Sequence, residues 1–139
     1  MEDETKVLLA ANAAFYEAFQ ALDFEALFGT WHQTSYAYCI HPGWDILRGW
    51  ESVRESWRAI MGSAAYMKIE ISEPSGLILG RSAWVTCVEN IYTISEGITT
   101  HATVASTNIF ESTEAGWKMI AHHGSPTGAV LSMNDEVEN

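Results

Sequence analysis

Apolar residues recur at three- and four-residue spacing near the start of the chain: Leu8, Ala11, Phe15, Ala18 or Phe19, and Leu22. That spacing lays one apolar stripe on a helix over residues 3–22, which Asp3 or Thr5 can cap. Asp23 suits the cap of a second, shorter helix, Phe24 to Trp31, because its carboxylate accepts from the orphan N–H groups of a first turn. Leu27, Phe28 and Trp31 then face the core. Ser35 to Ile40, rich in Tyr and Ile, reads as a strand. Pro42 cannot donate to a ladder and holds His41 extended, and Gly43 permits a sharp turn after it. A third helix starts at Gly49 and runs to about Met61, with Trp50, Val53, Trp57 and Ile60 as its buried stripe and Gly62 at its end.

From Tyr66 onward the period becomes two. Met67, Ile69 and Ile71 alternate along a strand to Ser72; Pro74-Ser75-Gly76 interrupts it, and Leu77 to Leu79 can resume it past a bend. Long strands follow over Ser82 to Ile94, Ile98 to Glu111 and Trp117 to Ser125, separated by turns at Gly80-Arg81, Glu96-Gly97 and Thr113 to Gly116. The order α-α-β-α-β-β-β-β predicts an α+β fold with helices on one face of a meandering antiparallel sheet. Strands of this length must bend or bulge, and a curved sheet across helices encloses a cone-shaped cavity. The expected organisation is one domain over 1–127 and an acidic, flexible tail over 128–139.

Composition narrows the function. The formal net charge is −11 with only seven Lys and Arg. That disfavours nucleic acid, whose phosphates need clustered cations, and an anionic membrane surface. No apolar run approaches the roughly 20 residues of a membrane span. The opening MEDETK is acidic and has no apolar core of a signal peptide, so the expected location is cytoplasmic. Cys39 and Cys87 sit in apolar strand patterns and read as small buried hydrophobes.

Five positions carry candidate chemistry. His41, fixed at a strand end, can accept a proton near neutral pH, or else bond a backbone carbonyl as a structural ring. Asn108 alternates with Ser106 and Phe110, so it points into the cone if Phe110 does, as a ligand contact or a satisfied core amide. His122 and His123 are consecutive and take opposite faces. Alternation with Trp117, Met119 and Ala121 sends His123 inward and His122 outward. Glu89, among apolar neighbours, either orients His41 or His123 or lies on the outer face at a dimer contact. Trp31, Tyr38, Trp57 and Phe110 can wall an apolar pocket or serve as plain core. A metal on His41, His123 and Glu89 is conceivable, but the expectation is no metal and no cofactor.

Five segments in order carry a family resemblance over Lys6 to Pro126: Leu-Asp-Phe-Glu-Ala-Leu at 22–27, Cys-Ile-His-Pro-Gly at 39–43, Gly-Trp-Glu-Ser-Val-Arg-Glu-Ser-Trp at 49–57, Thr-Asn-Ile-Phe at 107–110, and Gly-Trp-Lys-Met-Ile-Ala-His-His-Gly-Ser-Pro at 116–126. The chain resembles the SnoaL-like branch of the nuclear-transport-factor-like superfamily, with the ketosteroid isomerase type of cone-shaped α+β barrel. The resemblance implies an Asp-Pro general base where His41-Pro42 stands, and a protonated acid where Asn108 stands. It also implies an oxyanion Tyr where Phe15 stands, with Tyr16 one residue away. Small bacterial members, some resembling the association domain of calcium/calmodulin-dependent kinase, are the nearest in look.

Two functional expectations follow. In the first, the cone binds a small, mostly apolar, carbonyl-bearing molecule, for isomerase, dehydratase or cyclase chemistry. His41 is the base, Asn108 the donor to an enolate oxygen, and His123 a second polar contact. In the second, the chain is a non-catalytic association module. In either case a homodimer through the outer sheet face, which carries Trp84 and Tyr92, is expected.

Overall fold

The structure, a computed structural model, describes residues 3–127; the acidic stretch expected to form a tail lies outside the described residues. The elements are α1 (Glu4–Gln20), α2 (Phe24–Gly29), β1 (Tyr38–Ile40), β2 (Leu47–Arg48), α3 (Trp50–Gly62), β3 (Tyr66–Leu79), β4 (Ser82–Ser95), β5 (Ile98–Thr113) and β6 (Gly116–Pro126). Both aspartate caps form: Asp3 accepts from the Thr5 N–H at 3.0 Å and Asp23 from the Ala26 N–H at 3.1 Å. Among the described residues no helix is long and apolar enough to cross a membrane.

The strands make one curved, unclosed sheet in the order β2-β1-β6-β5-β4-β3, with the helices against its inner face. The architecture is the expected α+β cone, its sheet antiparallel except where β1 lies parallel to β6, with two further departures. The first is β2, whose two residues pair with Tyr38 and Cys39 at the sheet edge and are too few to show a period. The second is β3, which runs through Pro74 without a break. Its ladder shifts register between Ser72 and Ser75, and Glu73 there adopts a φ of +55°. Pro74 has no N–H to give, and a bulge on an edge strand accommodates it.

A second bulge decides which side chains face inward at β6. Ile109 pairs with Ala121 but Phe110 pairs with Met119, so Ile120 is the extra residue. Strand alternation therefore changes phase across Ile120. Met119 faces inward beside Phe110, and His122, not His123, faces inward beside Asn108.

The core forms between α1 (Leu8, Phe15, Phe19), α3 (Val53, Trp57) and the inner faces of β4 to β6 (Val85, Phe110, Met119). Trp57 is its centre, with Phe19 and Phe15 edge-on at centroid distances of 4.9 and 5.5 Å. At the narrow end, Pro42 packs on Gly124, where an added Cβ would lie 2.9 Å from Val104 Cγ1 and 3.3 Å from Pro42 Cγ. Gly124→Ala is expected to cost about 1–3 kcal/mol by overpacking. Adding Val104→Ala should recover part of that loss; urea unfolding of the single and double variants measures it, and simple additivity of the two would contradict the packing assigned here.

Candidate functional site

Asn12 and Tyr16 are one helical turn apart on α1, so both reach the same strip of sheet. Opposite them, Glu89 on β4, Ser106 and Asn108 on β5 and His122 on β6 share the inner face. All six are buried. A buried polar group is tolerated when its partners are supplied, and here they form one directed chain. His122 Nδ1 donates to Asn108 Oδ1 (2.6 Å). Asn108 Nδ2 donates to Asn12 Oδ1 (2.9 Å) and to Tyr16 Oη (3.0 Å). The Tyr16 and Ser106 hydroxyls both donate to Glu89 Oε2, at 2.5 and 2.6 Å.

Glu89 is the terminal acceptor. Burial raises its pKa, and the Ser106 and Tyr16 hydrogen bonds oppose that rise. Burial, and then the neighbouring Glu89, holds the Tyr16 hydroxyl protonated well above its ordinary range. His122 Nε2 lies 3.9 Å from Glu89 Oε2, within reach of an ion pair. The ring is nevertheless neutral: burial, then the His123 charge, lowers its pKa from 6.5 to about 3.

His41 occupies a separate cell. Ser56 Oγ donates to the Val53 carbonyl (2.7 Å), so at 2.8 Å it is His41 Nε2–H that donates to Ser56. Trp57 and Trp44 stand edge-on to the ring at centroid distances of 4.7 and 4.8 Å. Burial, then the charge of His122, lowers the His41 pKa to about 3, far from the value that suits a base at neutral pH. Burial also raises both cysteine thiols, Cys39 and Cys87, consistent with inert core residues.

Of the expected site residues, Asn108 and Glu89 meet in the inner network, and Glu89 contacts Tyr16 and Ser106 instead of orienting His41. His41 and Asn108 do not contact each other; His122 stands between them, its ring centroid 6.3 Å from that of His41. Two expectations are corrected, for His123 and Tyr38, and Trp31 takes the plain-core alternative. His123 is exposed, because the Ile120 bulge reverses the alternation, and it lines a groove of about 390 Å³ on the outer face with Thr86, Thr107 and Ser125. Tyr38 lies on the outer face, where it lines a groove with Tyr36, Ile46 and Arg48. Trp31 packs against Trp50 at the apolar end, its backbone bridging to Met119. Trp57 and Phe110 are core walls of the cone.

Tyr16 is the residue the motif comparison displaced. Phe15 takes the apolar side of α1 against Trp57, and Tyr16 delivers the hydroxyl. Asn12, one turn before it, carried the available signal, a polar residue on an otherwise buried stripe. The inner network meets open space at α1. A cleft of about 260 Å³ lies between α1 and β3, with Leu9, Ala13, Ile69, Ile71 and Pro74 as walls, buried Asn12 and Tyr16 as floor, and exposed Glu17 and Gln20 as rim.

The sequence from residue 8 to 129 matches the family model described as SnoaL-like domain. The chain belongs to the SnoaL-like family. Among solved structures, this SnoaL-like domain is similar to a Streptomyces avermitilis protein of the NTF2-like family proposed to be a dehydratase. The two share 32% identity, with 89% of this chain and 96% of that one covered and a TM-score of 0.84. It is also similar to a Thiobacillus denitrificans protein proposed to be a calcium/calmodulin-dependent protein kinase type II association domain, at 27% identity, 86% and 94% coverage and a TM-score of 0.76. Among curated proteins it matches the F-box protein SKIP8 of Arabidopsis thaliana, at 25% identity over 121 residues and 87% of this chain. The chain spans about half the length of that relative, 50%.

The neutral histidines give the SnoaL-like domain a pH signature. Below the ordinary value of 6.5 the unfolded chain takes up protons that folded His41 and His122 refuse until about 3. Stability is therefore lost as pH falls through this window, by up to about 1.4 kcal/mol per pH unit for each ring. Glu89 has the opposite sign: its folded pKa is raised, so it adds stability as pH falls from that raised value toward 4.5. Urea unfolding between neutral and mildly acidic pH should show the loss. His41→Gln should remove roughly half of the histidine slope and Glu89→Gln should steepen it. A flat profile would contradict buried neutral rings.

Proposed function

We propose that this SnoaL-like domain binds a small, mostly apolar, carbonyl-bearing molecule in the cleft between α1 and β3. The observation that carries this reading is the floor of the cleft: apolar walls end on Asn12 and Tyr16, where the buried network reaches open space. A ligand site of this kind needs an apolar body and a few placed polar groups. The Asn12 carbonyl is taken by Asn108, which leaves its amide protons to donate to a ligand oxygen. Glu89 behind the Tyr16 hydroxyl stiffens that group in one orientation. Geometry supports binding more directly than catalysis by His41, whose Nε2 is engaged by Ser56 and whose ring is enclosed by tryptophans. A carbonyl-bearing ligand is in keeping with the dehydratase activity proposed for the Streptomyces avermitilis relative.

The test uses para-ethylacetophenone as probe in an amide-shift NMR titration. Perturbations are expected at Asn12, Tyr16, Ile69 and Ile71, and their loss in Ala13→Phe, which fills the cleft from an exposed position. Perturbations elsewhere, or none, would count against the cleft.

A second reading, association, is favoured by the outer sheet face. Trp84, Leu77, Leu79 and Ile94 are exposed there at 39%, 46%, 59% and 38%. Four strands about 4.8 Å apart and roughly 40 Å long present on the order of 800 Å², the area per partner of a standard stable interface. The occupant we propose is a second copy of the chain. Light scattering after size exclusion at micromolar concentration should give a dimer mass, shifted toward monomer by Trp84→Glu; a monomeric wild type would exclude this reading.

A further inference from the structure

We infer that the α1–β3 cleft discriminates by charge, accepting neutral or cationic carbonyl compounds and rejecting anionic ones; this rests on reading the cleft as the ligand site. The first ground is what lines it. No Lys or Arg is among the lining residues, and the one charged group there is the rim carboxylate of Glu17. The surrounding cations are committed or outside it: Lys68 Nζ is 3.4 Å from Glu70, and Lys6 lies on α1 before the first lining residue, Leu9.

The second ground is independent and lies behind the floor. Glu89 is 2% exposed and one hydrogen bond beyond the Tyr16 hydroxyl. The groups placed to balance it are His122, at 3.9 Å, and beyond that His41. Each is buried and donates through one nitrogen to a neutral oxygen, His122 to Asn108 and His41 to Ser56. Among the described residues the hydrogen bonds Glu89 receives come from two hydroxyls, and the nearest cationisable group, the His122 ring, stands off at 3.9 Å with burial disfavouring its charge. An anion in the cleft would sit between the buried Glu89 carboxylate, which is weakly screened, and the exposed Glu17, whose field salt reduces. A positive group toward the rim would be drawn to Glu17, and its field would also favour Glu89 as carboxylate. The net charge of −11 acts in the same direction at longer range.

Three para-substituted acetophenones of nearly equal size separate the effects: para-ethylacetophenone (neutral), para-aminomethylacetophenone (cationic) and para-acetylbenzoate (anionic). Each is titrated by NMR into wild type, Ala13→Phe and Glu17→Gln, at low and high salt. The neutral and cationic compounds are expected to bind wild type and not Ala13→Phe. The anionic one should bind at least about tenfold more weakly than the neutral one at low salt, and Glu17→Gln or high salt should narrow that gap. If para-acetylbenzoate binds the cleft as tightly as the neutral ketone, charge selection is overturned and the cleft reading stands. If no compound binds, or Ala13→Phe changes nothing, the cleft reading falls and the inference with it.

Discussion

The hydrogen bond from Tyr16 to Glu89 is the contact on which the rest of the interior depends. A carboxylate removed from water is strongly destabilising unless donors replace the lost solvation, and Glu89 receives two hydroxyls on one oxygen. Tyr16 comes from α1 and Ser106 from β5, so supplying Glu89 fixes the helix relative to two strands of the sheet. Apolar packing alone is non-directional and would tolerate α1 sliding or rotating over the inner face. The polar network does not: each member has a single set of partners, and Asn108 spends its amide on Asn12 and Tyr16 together.

The Ile120 bulge makes that network possible at β6. Without the bulge, the register of Phe110 with Met119 would carry on to set Ala121 opposite Asn108 and turn His122 outward, leaving the Asn108 side-chain carbonyl without its histidine donor. The bulge on β3 does comparable service at the other edge, carrying the strand past Pro74 so that Ile69, Ile71 and Pro74 can together wall the cleft. One irregularity thus sets the polar floor and the other the apolar wall.

The fold was legible in the sequence because its signals are periodic. The α1 stripe, the Asp23 cap and the long alternating strands each repeat one pattern over many residues, and each element forms close to where the pattern places it. Asn108 was legible for the same reason, since β5 alternates without interruption from Val104 to Phe110. The inward histidine was not, because a bulge of one residue leaves no mark in a chain of mixed polar and apolar side chains yet inverts every position beyond it. Tyr16 was masked differently. Both residues of the Phe15-Tyr16 pair are buried, and only the rotation of α1 on the sheet, a tertiary property, decides which one meets the network. The burial that keeps His41 neutral is also largely tertiary, since Trp57 reaches it from α3 while Trp44 belongs to the same turn.

The order of strands has a consequence in time as well as in space. β6, the last strand among the described residues, lies between β1 and β5 and is parallel to β1. β1 is three residues long and otherwise pairs only with the two residues of β2. During synthesis, then, α1 can pack on β3 early, but β1, with Cys39 and His41, has only β2 to pair with until β6 has emerged. Pairing so distant in sequence is slow to close. β6 is the keystone of the sheet, and the β1–β2 edge waits for it in a state open to chaperones and proteases alike.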